Sequence, residues 1–513
     1  MNLPDGLNGL TPSPSAEQAA SSTARLAVRG TIWLTLFSYL GQFIAFGSTI
    51  VLTRLLGPEV FGVFATGMFW VGLLSLRSKF GLAYAGLRRP ELDGELLGSY
   101  YRLDLLLAVV SLMLGILAAI LLPYLGFPYP QQVSYVIVIM MIADVTPALV
   151  GPLSLALEKE MQFSRLTLIY VVTTFITYVL AVVLALAGAG LWSLLIMNLT
   201  NVVLTTLGIY GVCRWRLPQV FRLRWRFRRP LAGQLVRQGV PIGLANMGTT
   251  NVVNQYDNFL IGTLVGTTTL GYYDRAYRLS QWPNILLTQV LARVGFITFA
   301  RVQNDLARLT HAMRLSLWVI TTLGVPIALV LAFGASEVVE ILYGPAWAAS
   351  SFFLRFLAVY TLFSPFISLA SSLAYAGGNV RMTVWITVAQ VITILSVATV
   401  FTLAFGAVGT VLGVGVTIMV GFAIGALYIF RRLPLSVRAT FGAPLVAAGI
   451  ASVVTLLIMS QPGWHELSTW IRLLIIGGAS AGLYWICLFV FRPAEMLERV
   501  RYVTRTFGGF KIT

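Results

Sequence analysis

DNFLIGTLVGTTTLGYYDRAYRL, residues 257–279, sets Asp257, Asp274, Arg275 and Arg278 in and beside apolar runs, with Gly262, Gly266 and Gly271 between them. The stretch reads as the end of one apolar segment, a short glycine-marked joint, and the start of the next. Each charge placed inside such a segment needs a reason, because an ionisable residue within a span costs roughly 2.5–3.5 kcal/mol on insertion scales.

The surrounding composition says what the segments are. Of 513 residues, 58% are hydrophobic and 10% charged, whereas a soluble domain carries roughly 25% charged residues. Apolar runs long enough to cross a hydrocarbon core of ~30 Å recur near 31–52, 60–82, 102–122, 133–155, 166–187, 191–212, 241–262, 270–292, 315–335, 352–376, 383–405, 407–430, 441–459 and 471–491. The expected fold is therefore an all-α integral membrane protein of about fourteen transmembrane helices, both termini cytoplasmic. Residues 1–24, polar and rich in Pro and Ser, read as a disordered tail without the pattern of a signal peptide.

The net charge of +17 does not call for nucleic acid. With the N-terminus inside, 30 of the 35 lysines and arginines fall in loops on the cytoplasmic side, which is positive-inside bias. The densest stretch lies in the 213–240 linker, where Arg222, Arg224, Arg226, Arg228 and Arg229 interleave with Phe221, Trp225 and Phe227; beside a membrane helix this reads as a segment lying on anionic lipid. Two cysteines, Cys213 and Cys487, offer no disulfide framework. Two separated histidines and no clustered ligands leave no metal site to build. No Walker A, GxSxG or HExxH pattern appears, so neither a cofactor nor an enzyme is expected.

Sliding the chain on itself by 209 residues superposes Gly57 on Gly266, Gly62 on Gly271 and Leu55 on Leu264, aligning LLGPEVFG with LVGTTTLG. Both copies open a six-helix block and both start inside. The expectation is two parallel lobes related by an axis along the membrane normal: 25–212 and 241–432, joined by the 213–240 linker, followed by two extra helices over 433–491 and a cytoplasmic tail, 492–513. The repeated glycines are expected to shape a tight outer turn.

The stretch at 257–279, with LTRLLGPEVFGVFA at 52–65, FARVQNDLARL at 299–309 and LYGPAW at 342–347, resembles the Wzx-type polysaccharide flippases, in the superfamily that also holds lipid II flippases and multidrug and toxin extruders. The resemblance implies translocation of an isoprenoid-pyrophosphate-linked oligosaccharide across a bacterial inner membrane by alternating access. It implies as partners the polyprenyl-linked glycan, membrane lipids, a polysaccharide polymerase and a chain-length regulator. Many relatives carry an acid before FGL near the end of the second helix; this chain has SKFGL, with Lys79, so no coupling acid transfers to that position.

Such a cargo needs cations for its pyrophosphate. Arg275 and Arg278, three apart on one helix face, suit a diphosphate or an acidic sugar, against the alternative of an ion pair with Asp257 or Asp274; Asp274 itself reads as a solvated cap. Arg54, Arg77 and Lys79 are further phosphate candidates, with snorkelling or positive-inside anchoring as the alternative. Asn246, Thr250, Asn254 and Asp257 fall at i, i+4, i+8 and i+11, one face of the seventh helix, which reads as the polar wall of a cavity or as interhelical glue. Asp144, three residues before Pro147, and Asp257 are candidates for ion coupling; for Asp144 the alternative is a structural pair with an arginine. Two rival functions follow from the same features: a cation-coupled multidrug exporter, which the basic pair disfavours, and a membrane glycosyltransferase or polymerase, which the short outer loops disfavour.

Overall fold

The computed structural model describes residues 39–89, 92–126, 129–247, 252–493 and 496–498; the expected N-terminal tail, the start of the first helix, Thr250 and most of the C-terminal tail lie outside them. All regular structure among the described residues is helical. Nine of the described helices are long and apolar enough to cross a membrane, as the composition requires of a multi-pass protein. The run Val380–Arg432 is itself a hairpin: Gly406 takes φ 59°, ψ −138°, and the two arms pack so closely that a Cβ on Gly409 would lie 1.8 Å from the Phe401 carbonyl oxygen.

The chain divides into two compact units. The first takes residues 81–110 and 142–239 with the segment before Thr53. Its core gathers Leu97, Leu153, Leu157, Ile209, Cys213 and Val220. Here the basic linker differs from an independent lipid-lying segment. Residues 224–228 run extended across the first turns of the Gly94–Leu121 helix, where a Cβ on Gly94 would lie 2.3 Å from the Arg224 carbonyl oxygen and one on Gly98 2.6 Å from the Arg226 amide nitrogen. The Arg226 N–H donates to the Gly94 carbonyl at 3.0 Å and the Arg228 N–H to Ser99 Oγ at 3.0 Å. Period-two alternation turns Trp225 onto the Tyr101 ring, centroids 5.7 Å apart, and leaves Arg222, Arg224 and Arg226 exposed. Arg228 pairs with Glu95 at 2.8 Å, and that hydrogen bond raises its guanidinium above the ordinary value.

The second unit comprises residues 53–80, 111–141 and 240–513. Its central crossing joins the Pro58–Leu74 helix to the Thr267–Val302 helix. A Cβ on Gly62 would lie 1.8 Å from the Thr267 carbonyl oxygen, and one on Gly271 1.9 Å from that of Pro58. Gly62 and Gly271 are thus not turn residues but the point where two backbones touch. Of the other repeated pair, Gly266 alone needs to be glycine, at φ 135° before the helix; Gly57 caps its helix at φ −72° with nothing within 4 Å of an added Cβ.

Three expected helices are broken rather than continuous. The second ends at Leu74, and the Leu76 N–H leaves it for Ser111 Oγ at 2.8 Å. The fourth ends at Ala148, where Pro147 closes the last turn, and a new helix, Gly151–Lys159, follows. The seventh begins early, at Arg229, and its continuation restarts at Tyr256 after Gln255 leaves helical geometry at φ −136°.

Candidate functional site

The charged stretch folds into the top of the Thr267–Val302 helix. A π-turn, Ile261–Val265, is closed by the Gly266 N–H donating to the Ile261 carbonyl at 2.8 Å. Two turns into the next helix, Asp274 is only 4% exposed. It accepts from Arg275 Nε at 3.1 Å and from Arg278 Nε at 3.0 Å. Arg275, itself buried, also lays its guanidinium 4.1 Å from the Phe61 ring centroid, a cation–π contact reaching the Pro58–Leu74 helix. Asp274 is therefore a bridge and not a solvated cap: its turn faces the packed crossing, where a carboxylate is retained only if paired. The two arginines are not a bare pair of cations either, since one buried carboxylate serves both. They differ in access, with the Arg278 side chain 56% exposed and the Arg275 side chain 6%.

Asp257 is 2% exposed. Its Oδ2 accepts from the Tyr273 hydroxyl at 2.5 Å and its Oδ1 from the Asn258 N–H at 2.9 Å. The polar face expected through Asn246, Thr250, Asn254 and Asp257 is not one helix face, because the helix breaks at Asn254–Gln255. Asn254 stands exposed at the break; Thr250 and the Asn246 side chain lie outside the described residues.

The motifs at 52–65, 257–279 and 342–347 close on one another. Trp347, 1% exposed, donates from Nε1 to the Thr53 carbonyl at 2.8 Å, and its ring meets Phe61, Tyr272 and Tyr343 edge-on or tilted at 5.7–5.9 Å. Ser350 Oγ donates to the Tyr272 carbonyl at 3.0 Å. Arg54 donates from Nε to the Leu342 carbonyl at 2.8 Å and from Nη2 to that of Ile341. It caps the C-terminal turn of the Ala335–Tyr343 helix, where carbonyls without helical partners and the negative end of the dipole favour a cation.

Lys79 does the same nearby in sequence, its Nζ donating to the Leu73 carbonyl in the last turn of the Pro58–Leu74 helix. With Arg77, which is half-buried, it belongs to the short Arg77–Phe80 helix after the break. Asp144 is half-buried in the last turn but one of its helix, in the other unit, instead of at mid-helix. That unit holds a buried acid which sequence reading passed over: Asp104, 3% exposed, whose Oδ2 would lie 2.7 Å from a Cβ on Gly151. It stands near the start of an apolar run, where an acid in the sequence carries no signal of burial. Among the described residues no group of three His, Cys, Asp or Glu could hold a metal.

Comparison with known proteins places this arrangement. The family described as polysaccharide biosynthesis protein matches residues 51–352, which includes all three motifs of the clamp. The chain is 26% identical over 506 residues to the succinoglycan biosynthesis transport protein ExoT of Rhizobium meliloti, covering 94% of this chain and 96% of that one. It is 24% identical to the lipopolysaccharide biosynthesis protein WzxC of Escherichia coli, over 61% of this chain and 62% of that one. Among solved structures, the lipid II flippase MurJ in an inward closed conformation superposes with a TM-score of 0.73 at 13% identity, covering 91% of this chain and all of MurJ. An inward-facing multidrug resistance MATE transporter of the MOP superfamily gives 0.62 at 17% identity, over 77% and 95%.

Proposed function

Because the chain belongs to the polysaccharide biosynthesis protein family and has the fold of the MOP superfamily of membrane transporters, we propose that it flips isoprenoid-pyrophosphate-linked oligosaccharide units across a bacterial inner membrane, for exopolysaccharide or lipopolysaccharide assembly. The resemblance to Wzx-type flippases read from the motifs is borne out by the family match and by the polysaccharide transport relatives. The observation that carries the reading is the relationship to a succinoglycan transport protein along nearly the whole of both chains.

The mechanism proposed is alternating access between two parallel six-helix lobes, 25–212 and 241–432, in a chain of fourteen spans with both ends in the cytoplasm. The reciprocal contact of Gly62 and Gly271 supports a parallel repeat. Within the charged cluster, Arg278 is the cation that meets the diphosphate, because its side chain is half-exposed while Arg275 is held beneath it by Asp274 and Phe61. Asp144 and Asp257 are the acids proposed for coupling to an ion gradient. A polymerase and a chain-length regulator are the proposed partners downstream.

The test is export of polymer by a strain lacking the gene and supplied with variants. The intact chain restores periplasmic polymer. Arg278→Ala abolishes it at a normal protein level, and Arg278→Lys keeps part. Unchanged polymer in the deletion strain, with no second flippase present, overturns the flippase reading; normal export by Arg278→Ala overturns the assignment of the anion contact alone.

A further inference from the structure

A cavity lies in the second unit, apart from the Asp274 cluster. About 410 Å³ in volume, it is enclosed by the Leu306–Val319 helix with the π-turn after it, by the Val437–Met459 helix, and by the chain just past Phe491. Arg314 and Arg492 line it together with Thr322, Ser436 and Thr440, and among the described residues none of its lining is acidic. Two cations in one cavity select an anion.

Three local features sharpen that selection. The cavity lies at the N-terminal end of a 23-residue helix, where Ser436 is the cap and accepts from the Ala439 N–H, so the positive end of the helix dipole faces the same space. Arg492 Nη2 donates to the Ala439 carbonyl, which holds this guanidinium beside the first turn of that helix. Thr322 is 7% exposed, lines the cavity, and its hydroxyl has no hydrogen-bond partner; its carbonyl, by contrast, is taken by Trp485 Nε1 at 2.9 Å. A buried hydroxyl without a partner is costly, and an oxygen-bearing ligand in the cavity would satisfy it.

The exposed faces of the neighbouring helices say which anion. Leu445 and Val446 beside Pro444, and Ile486 and Val490 around Leu488, are large apolar side chains more than half exposed, the surface that acyl chains cover in a membrane. We propose that this cavity binds the phosphate of an anionic phospholipid headgroup, with Arg314 and Arg492 on the phosphate oxygens, the Thr322 hydroxyl donating to the headgroup, and the acyl chains against the exposed helix faces. The site uses none of the residues assigned to cargo.

Purified full-length protein in detergent, given phosphatidylglycerol or phosphatidylcholine and examined by native mass spectrometry, tests the assignment. The expected result is preferential retention of phosphatidylglycerol, with Arg314→Gln lowering its affinity about tenfold, the loss of a charged hydrogen bond to phosphate. Thr322→Val, close to isosteric, lowers affinity severalfold and keeps the melting temperature, which separates binding from folding. A third arm replaces lipid by glycerol 3-phosphate or inorganic phosphate, and competition requiring a large excess of either is expected. Equal retention of both lipids, unchanged retention in both variants, or equal competition by the soluble phosphates would each overturn the lipid assignment.

Discussion

Gly62 and Gly271 mark the same contact twice. Each presents a bare Cα to the partner helix four residues before the other glycine, Gly62 to the Thr267 carbonyl and Gly271 to the Pro58 carbonyl, and both equivalent pairs are 209 residues apart in the chain. The contact is therefore reciprocal, as at a two-fold axis, and the weak sequence repeat has a physical cause: both copies must omit a side chain where they cross. Gly62→Ala or Gly271→Ala pushes backbone against backbone, and each is expected to destabilise the protein by about 1–3 kcal/mol or more. The double substitution should cost less than the sum, since one separation relieves both clashes. Gly57→Ala, at an ordinary φ and with open space around it, should leave the melting temperature unchanged or slightly raised. Thermal melts of the four variants in one detergent decide this; a cost at Gly57 equal to that at Gly62 would show that the crossing is not the cause.

The second prediction concerns Asp274. Removing one partner of a buried ion pair costs about 3–5 kcal/mol, because the other charge is left uncompensated. Asp274→Asn should therefore lower folded protein sharply, through Arg275 rather than through Arg278. Replacing both partners by apolar residues, Asp274→Leu with Arg275→Met, should recover most of that loss in a melting assay, since well-packed replacements of buried pairs are often near neutral. If the double variant is as unstable as Asp274→Asn, the pair does more than neutralise itself.

Much of this was legible in the sequence, and the illegible part has a pattern. Spans follow from the length and oiliness of the runs, and the hairpin at Gly406 from a glycine between two of them. The breaks at Ser75 and Gln255 are not legible, because no proline adjoins them, and at the first the released Leu76 N–H is satisfied by Ser111, 35 positions along the chain; Pro147 does mark the break before Leu149. Charge alone makes Arg54 and Lys79 phosphate candidates, and it does not show that each reaches a helix C-terminus, in one case 288 positions along the chain. Asp274 reads as a cap because its burial, unlike its pairing with Arg275 and Arg278 on the same helix, depends on which turn of the helix meets Phe61. Periodicity locates elements; it does not say which charges they bring face to face.

The docked linker gives the third prediction. Gly98→Ala places a methyl group against the backbone of Arg226, and the extended segment 224–228 has to lift from its helix. Its arginine side chains are already exposed, so what protects the segment from trypsin is its fixed backbone, and local opening controls cleavage. Trypsin should cut after Arg224 or Arg226 severalfold faster in Gly98→Ala than in the unaltered chain. Glu95→Gln, which removes only an exposed ion-pair partner, should change the cleavage rate little. Equal rates in Gly98→Ala and the unaltered chain would mean that the glycine groove does not hold the segment.

The last prediction separates clamp from cargo site. Trp347 fills the space between the motifs at 52–65 and 257–279 and also donates to Thr53. Trp347→Phe keeps an aromatic ring and loses the indole donor, leaving the Thr53 carbonyl without it; the expected cost is about 1–3 kcal/mol. Trp347→Ala also empties a fully buried site, for which about 3–5 kcal/mol is usual. Export should fall in proportion to folded protein in both, because neither touches the charged cluster's exposed member. Arg278→Ala should do the opposite and abolish export with the melting temperature little changed, since Arg275 still neutralises the buried Asp274 and the Arg278 side chain is half-exposed. Quantifying folded protein and polymer in the same cells distinguishes them, and a Trp347→Phe protein that folds at normal levels but exports nothing would move the clamp itself into the transport pathway.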